Sequence, residues 1–344
     1  MVGVTVTETE TVPGVEAEAE SETEAAPASG RRIQQLLFAL ERPYMGNPYY
    51  VSGNALHAAV ARRVGEATRR ALHVSHGVFV PGEYGSPTEG EISLRGGQKL
   101  GGMLPDVEAY EDLFVHRDPA QRWLTESRPR EAANTHPLQR YGHDGRVAFA
   151  SEMQVGRPAE KRAASRRVPW YVQCYVHADD PAVLPVATDA LTGIRVGGAR
   201  NFGFGELSVV DTQVVDVDAL AYGALEAADA HELELVSPFV LETEFPGAAD
   251  QSVPWWWAPG KRAATGELRR RTERLVAGED VFDLETVDHG QVVPYAGADP
   301  VATAKNGVLR VGTHSRFGFG ELRVRPARGS RVPAWRERRA GGGG

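Results

Sequence analysis

The segment Arg195-Val-Gly-Gly-Ala-Arg-Asn-Phe-Gly-Phe-Gly-Glu-Leu-Ser-Val209 returns 115 residues later as Arg310-Val-Gly-Thr-His-Ser-Arg-Phe-Gly-Phe-Gly-Glu-Leu-Arg-Val324, with ten of fifteen positions identical. Closely spaced glycines let backbone N–H groups approach a ligand without a Cβ in the way, and Arg195, Arg200, Arg310 and Arg316 bring charge to the same bend. That combination suits a phosphate chain. It is not a nucleoside-triphosphate loop, because no Gly-x-x-x-x-Gly-Lys-Ser/Thr exists and the loop feeds a strand rather than a helix; the dinucleotide fingerprint is missing in its required context too. A glycine turn that packs a helix on a sheet is the plain alternative. One copy would favour it; two copies with basic residues at the same bend favour nucleic acid.

The other chemically capable side chains are scattered. His57 lies one position off the apolar face of a helix, where histidines are more often packed or at the surface than catalytic. Cys174 is the only cysteine, which excludes disulfides within the chain and cysteine-based zinc sites. His136, His143 and Asp144 give at most a weak metal-ligand grouping. No metal and no cofactor are expected.

An element that ends twice in the same loop needs two related units to carry it. Ile33 to Leu40 suits a first strand. A turn-rich stretch then leads to a helix over 55–64, capped by Ser52 or Asn54, with Leu56, Ala59, Val60 and Val64 on one face. Val168–Val176 reads as a strand, Leu184–Gly193 as a short helix closed by glycine, and Leu207–Val215 as a strand. With one unrecognised strand in the middle, this is the split βαβ of a ferredoxin-like (RRM-like) domain. Glu232–Glu244 reads as a strand interrupted by Pro238, Gly266–Gly278 as a basic helix, and Gln291–Tyr295 and Val308–Val311 as further strands. The expected fold class is therefore α+β, with two ferredoxin-like βαββαβ units, each ending in a glycine-rich loop and strand. The boundaries expected are an acidic tail at 1–30, a first domain at 31–217 with an insertion at about 81–165, a second domain at 218–327, and a basic, glycine-rich tail at 328–344.

Composition sharpens the choice of ligand. The formal charge is −8, but residues 1–30 carry seven glutamates and no base, leaving 39 acids against 38 bases in the rest. The body is nearly neutral, and 34 of its bases are arginine, the side chain that both stacks on bases and grips phosphate bidentately. The tail, with high charge and no aromatic residue, reads as disordered and solubilising. Arg122, Arg128, Arg130, Arg140, Arg146, Arg157, Lys161, Arg162, Arg166 and Arg167, interleaved with Trp123 and Tyr141, could track a single strand, although for any one of them a solvated loop is the better reading. Of Trp255, Trp256 and Trp257, at least one is exposed or under a loop. No run of eighteen apolar residues and no signal-peptide pattern occur, so a cytoplasmic protein with no membrane partner is expected.

Gly197-Gly-Ala-Arg-Asn-Phe-Gly-Phe-Gly-Glu-Leu207 resembles the glycine-rich loop of the CRISPR-associated RAMP superfamily, a Gly-x-x-Arg-x-x-Gly-x-Gly pattern between the last helix and strand of a ferredoxin-like fold. Val51-Ser-Gly-Asn-Ala-Leu-His-Ala-Ala-Val-Ala-Arg62 is similar to its first-helix segment Pro-Gly-Ser-Ser-Leu-Lys-Gly-Ala-Leu-Arg, with Ser52 in place of Pro and His57-Ala58 in place of Lys-Gly. The resemblance covers three short blocks. It implies a non-catalytic subunit holding the 5′ handle of a guide RNA, as in type III complexes, in contact with a large subunit and with backbone subunits of an antiviral ribonucleoprotein. Gly197, Gly198, Arg200, Gly203 and Gly205, and by repeat Gly312, Arg316, Gly318 and Gly320, would then contact the RNA backbone, the first loop more than the second. The same superfamily also contains metal-independent endoribonucleases in which a histidine near the first helix activates a 2′-hydroxyl; His57, His73 and His76 are the candidates by position. A protein-only scaffold is the third possibility.

Overall fold

The computed structural model describes residues 31–47, 50–81, 103–117, 135–137, 147–149, 152–155, 166–243, 269–277, 279–310 and 313–327. The fold is mixed α+β, with antiparallel sheets and few helices.

The first strand, β1 (Arg32–Leu40), is followed by the short β2 (Tyr44–Gly46) and β3 (Tyr50–Val51). Helix α1 (Gly53–Val60) starts where the Ser52 hydroxyl accepts from the Ala55 N–H at 3.2 Å. Leu56, Ala59 and Val60 form its buried face. After α2 (Glu66–Ala71), β4 (Leu72–Val74) and β5 (Gly77–Pro81) supply the middle strand that the sequence pattern did not reveal. The insertion holds β6 (Thr135–Pro137), β7 (Val147–Phe149) and β8 (Glu152–Val155). Then come β9 (Arg166–Ala178), helix α3 (Thr188–Leu191), β10 (Ile194–Arg195) and β11 (Glu206–Asp216). The spatial order β11-β1-β9-β5 is antiparallel at every step.

Both faces of this sheet are covered. Along β9, Trp170, Val172, Cys174 and Val176 enter the core beneath α1 and α3, whereas Tyr175 joins a second core with Leu233, Val293 and Val324. Strand side chains alternate between faces, and two buried faces turn β1 into the near-continuous apolar run Leu36-Leu37-Phe38-Ala39-Leu40 instead of an alternation.

The second unit comprises α4 (Gly223–Glu226), β12 (His231–Leu235), β13 (Phe239–Thr243), β14 (Arg270–Ala277), β15 (Asp280–Val287), β16 (Val292–Pro294), helix α5 (Pro300–Leu309) and β17 (Leu322–Pro326). It forms two three-stranded sheets, β16-β12-β17 and β13-β15-β14. Pro238 does interrupt the strand read at Glu232–Glu244, splitting it between these sheets. Two other expectations fail. The basic stretch expected as a helix over 266–278 is β14, an edge strand whose Arg270 and Arg274 pair across to Glu285 and Asp283 on β15. The strand expected at Val308–Val311 is instead the last turn of α5 as far as Leu309, whose start is fixed by Asp299 accepting from the Ala302 N–H at 2.8 Å with Pro300 in the first turn.

The expected insertion is not one irregular loop. Residues 110–114 form a 3₁₀ turn that buries Tyr110, Leu113 and Phe114 in the second core. That core draws on both sides of the 217/218 boundary, with Ile33, Tyr175 and Val215 packed among residues of the second unit. The basic residues from 122 to 162 that could track a single strand, Trp123, Tyr141, Trp255 to Trp257, both tails, Gly312, His143 and Asp144 lie outside the described residues.

Candidate nucleic-acid interface

The two glycine turns share one backbone design. In the first, Gly203 N–H donates to Arg200 O at 3.1 Å, Phe204 N–H to Ala199 O at 3.4 Å, and Gly205 N–H to Pro43 O at 2.8 Å. In the second, Gly318 N–H donates to Ser315 O at 3.1 Å, Phe319 N–H to His314 O at 3.4 Å, and Gly320 N–H to Pro238 O at 3.0 Å. The matched glycines take left-handed φ values of 85° and 70° in one copy and 89° and 82° in the other. Such φ values are routine for glycine alone. The duplicated sequence thus encodes a duplicated turn, pinned each time to a proline carbonyl just after the unit's first strand.

The copies part company in what surrounds them. The first turn faces an open cleft of about 710 Å³ whose wall includes Arg62, Arg63, Arg195, Gly197, Arg200 and the single acid Glu206. Glu206 is occupied by Arg195, at 2.9 Å, and Arg63 donates to Gly193 O at 3.1 Å, tying the end of α1 to the loop. Arg62 and Arg200 have no ion-pair partner among the described residues. Four guanidiniums around one neutralised carboxylate leave the cleft strongly positive, the electrostatics a phosphate backbone requires. Arg195, Arg200, Gly197 and Gly198 are thereby brought together on one wall, while Gly203 and Gly205 shape the turn behind it. Arg62 and Arg63, in the turn that follows α1, complete the site; their adjacency just past the first helix is the signal in the sequence.

The second turn is packed against the first unit. His314, Ser315, Gly318 and Gly320 are buried, and a Cβ on Gly318 would lie 2.3 Å from His76 Nδ1. Arg316 donates to the Arg70 carbonyl at 2.5 Å. Arg310 is 1% exposed, donating to Ser315 O at 3.2 Å and facing His177 Nδ1 at 3.1 Å. Below it Arg117, entirely buried, forms a bidentate pair with Glu321. Glu206 and Glu321 are equivalent in the repeat, yet one meets an exposed arginine at a cleft and the other a buried arginine at an interface.

His57, His73 and His76 lie beside this second turn, and none lines the cleft. The His57 ring meets Phe317 edge-on at 5.5 Å. His73 Nδ1 is 2.7 Å from Ser315 Oγ, its Nε2 is 3.0 Å from Asp179, and its ring stacks on His177 at 4.5 Å. His76 Nδ1 receives the Gly53 N–H at 3.4 Å, and its ring packs on Tyr50 and Phe319. Burial, reinforced by the Arg316 charge, pushes His57 down to about 4. Burial does the same to His116, also to about 4, and lowers His73, His177 and His314.

These depressed values make stability fall with acid. Below the ordinary histidine pKa of 6.5 the unfolded chain takes up protons that the folded chain refuses until near pH 4, so stability is complete above that window and declines through it. His57 and His116 should each cost about 2 kcal/mol at pH 5 relative to pH 7.5. Denaturant unfolding at the two pH values measures this; equal stabilities would refute it.

No protein-family model matches the chain, and no curated protein matches it in sequence at a significant level. Among the described residues, no helix is long and apolar enough to cross a membrane.

Proposed function

We propose that this chain is a non-catalytic RNA-binding subunit of a CRISPR-type effector ribonucleoprotein, holding the 5′ handle of a guide RNA at the first glycine turn. The observation that carries the reading is the open arginine cleft against that turn, on the segment that resembles the superfamily's loop. Support comes also from the first sheet: the antiparallel order β11-β1-β9-β5, with α1 and α3 between its strands, is compatible with the β-α-β-β-α-β plan of a ferredoxin-like unit. The second unit shares its last helix, turn and strand with that plan, and we read it as a diverged copy. An endoribonuclease reading draws no support from the histidines, which pack beneath the buried second turn, away from the cleft. Large and backbone effector subunits are the proposed protein partners.

Purified from its native host, the protein should carry short RNAs sharing one 5′ sequence. With the handle as ligand, Arg62→Ala and Arg200→Ala should each weaken binding and shrink the slope of log K against log salt by about 0.7 per lost phosphate contact. Copurification of protein partners with no enriched RNA would overturn the proposal in favour of a protein-only scaffold.

A further inference from the structure

Phe202 sits at the tip of the first glycine turn with 78% of its surface in water, the most exposed large hydrophobic side chain among the described residues. Single exposed apolar residues are ordinary on protein surfaces; the repeat shows why this one is different. Its counterpart Phe317 is partly buried and packs edge-on against His57 at 5.5 Å. The turn thus offers a phenylalanine at a fixed place in both copies, and in the first copy its ring stands in solvent with no ring contact among the described residues. It follows Arg200 and Asn201, which line the arginine cleft, on the same 3₁₀ turn.

We infer that Phe202 is the stacking platform for one unpaired base of an RNA strand whose phosphates occupy the cleft, so that this site takes single-stranded RNA and rejects duplex. The inference rests on the RNA reading above and adds the state of the strand and the residue that senses it. An aromatic ring can stack only on a base whose face is free, and A-form duplex RNA keeps its bases closed and is read through its backbone and minor groove. The cleft volume of about 710 Å³ is in the range of sites that hold a drug-sized ligand, enough for a nucleotide or two. The arginines and the ring divide the work: charge holds the backbone, and the ring holds a base with little regard to its identity, since every base has a π-face.

The test uses the full chain freed of RNA, with a short single strand carrying 2-aminopurine and a blunt duplex of the same sequence. The unmodified protein should quench 2-aminopurine on binding; Phe202→Ala should abolish that quenching and weaken single-strand binding about 5- to 150-fold with an unchanged salt slope. Phe202→Trp should restore both, and the duplex should bind at least about tenfold more weakly than the single strand. Wild-type affinity in Phe202→Ala, or equal affinity for duplex, overturns the stacking inference while leaving RNA binding intact; so does a Phe202→Ala protein that keeps its RNA but loses a protein partner. Absence of RNA binding in every arm overturns the RNA reading itself, and this inference with it.

Discussion

Glu321→Gln should destabilise the protein by about 3–5 kcal/mol, the cost of stripping one partner from a buried ion pair. The site gives reason to expect the upper end. Arg117 spends its guanidinium on Glu321, on the His76 carbonyl at 2.9 Å and on the Gln173 side chain at 3.1 Å, with no exposure to water. A second buried guanidinium, Arg310, lies on the same Tyr175 ring, with Arg117 at 4.8 Å and Arg310 at 5.0 Å from its centroid. Glu321 also feels both, since its charge helps to hold Arg117 and Arg310 protonated. Two buried positive charges would then lose the carboxylate whose charge acts on both. Typical domains hold about 5–15 kcal/mol in reserve, so the variant should unfold at much lower denaturant. Arg117→Met combined with Glu321→Met should cost less than the sum of the single changes, since removing both charges avoids the uncompensated one. A Glu321→Gln protein within about 1 kcal/mol of the parent would show that the pair is not what joins the units.

This ion pair also marks the limit of what a sequence reveals. Arg117 and Glu321 are 204 positions apart, and nothing local distinguishes Arg117 from the arginines that follow it in the insertion. By contrast β1, β9, β11 and α1 were legible because their apolar spacing is local and α1 carries its own cap at Ser52. The repeated turn was legible because positive φ at matched positions demands glycine twice. Its unequal burial could be expected only in outline, from Gly198 and Arg200 standing opposite Thr313 and Ser315. Misreadings came where charge hid periodicity. In β14 exposed and half-buried positions alternate along Arg270-Arg-Thr-Glu-Arg and Leu275 is buried, a strand pattern obscured because cross-strand ion pairs, not apolar residues, mark its outer face. In α5 the short run Val308-Leu309-Arg310-Val311 suggested a strand, although Asp299-Pro300 had already announced a helix.

Gly205→Ala should cost about 3 kcal/mol or more and dismantle the cleft, whereas Gly203→Ala should cost about 1–2 kcal/mol and leave it in place. Both residues hold left-handed backbone, at φ 70° and 85°, so conformation alone predicts similar losses. The surroundings separate them. A Cβ on Gly203 meets nothing within 4 Å, while one on Gly205 falls 1.9 Å from the Val196 carbonyl oxygen. That oxygen belongs to a rigid partner: Val196 N–H donates to Gly205 O at 3.0 Å, and Gly205 N–H is itself tied to Pro43 O at 2.8 Å. No side chain can yield there, so the β10–β11 hairpin must open, and the wall carrying Arg195 and Arg200 moves with it. Ala199 adopts φ 54° in the same turn, so the turn already accommodates one Cβ in left-handed backbone where space allows. Unfolding free energies of the two variants, measured beside their affinity for a short single-stranded RNA, test this separation. Equal stability losses would mean that backbone conformation, not the approach of Val196, makes the last glycine of the turn necessary; a cleft that binds RNA normally in Gly205→Ala would detach the arginine wall from the turn that is held here to position it.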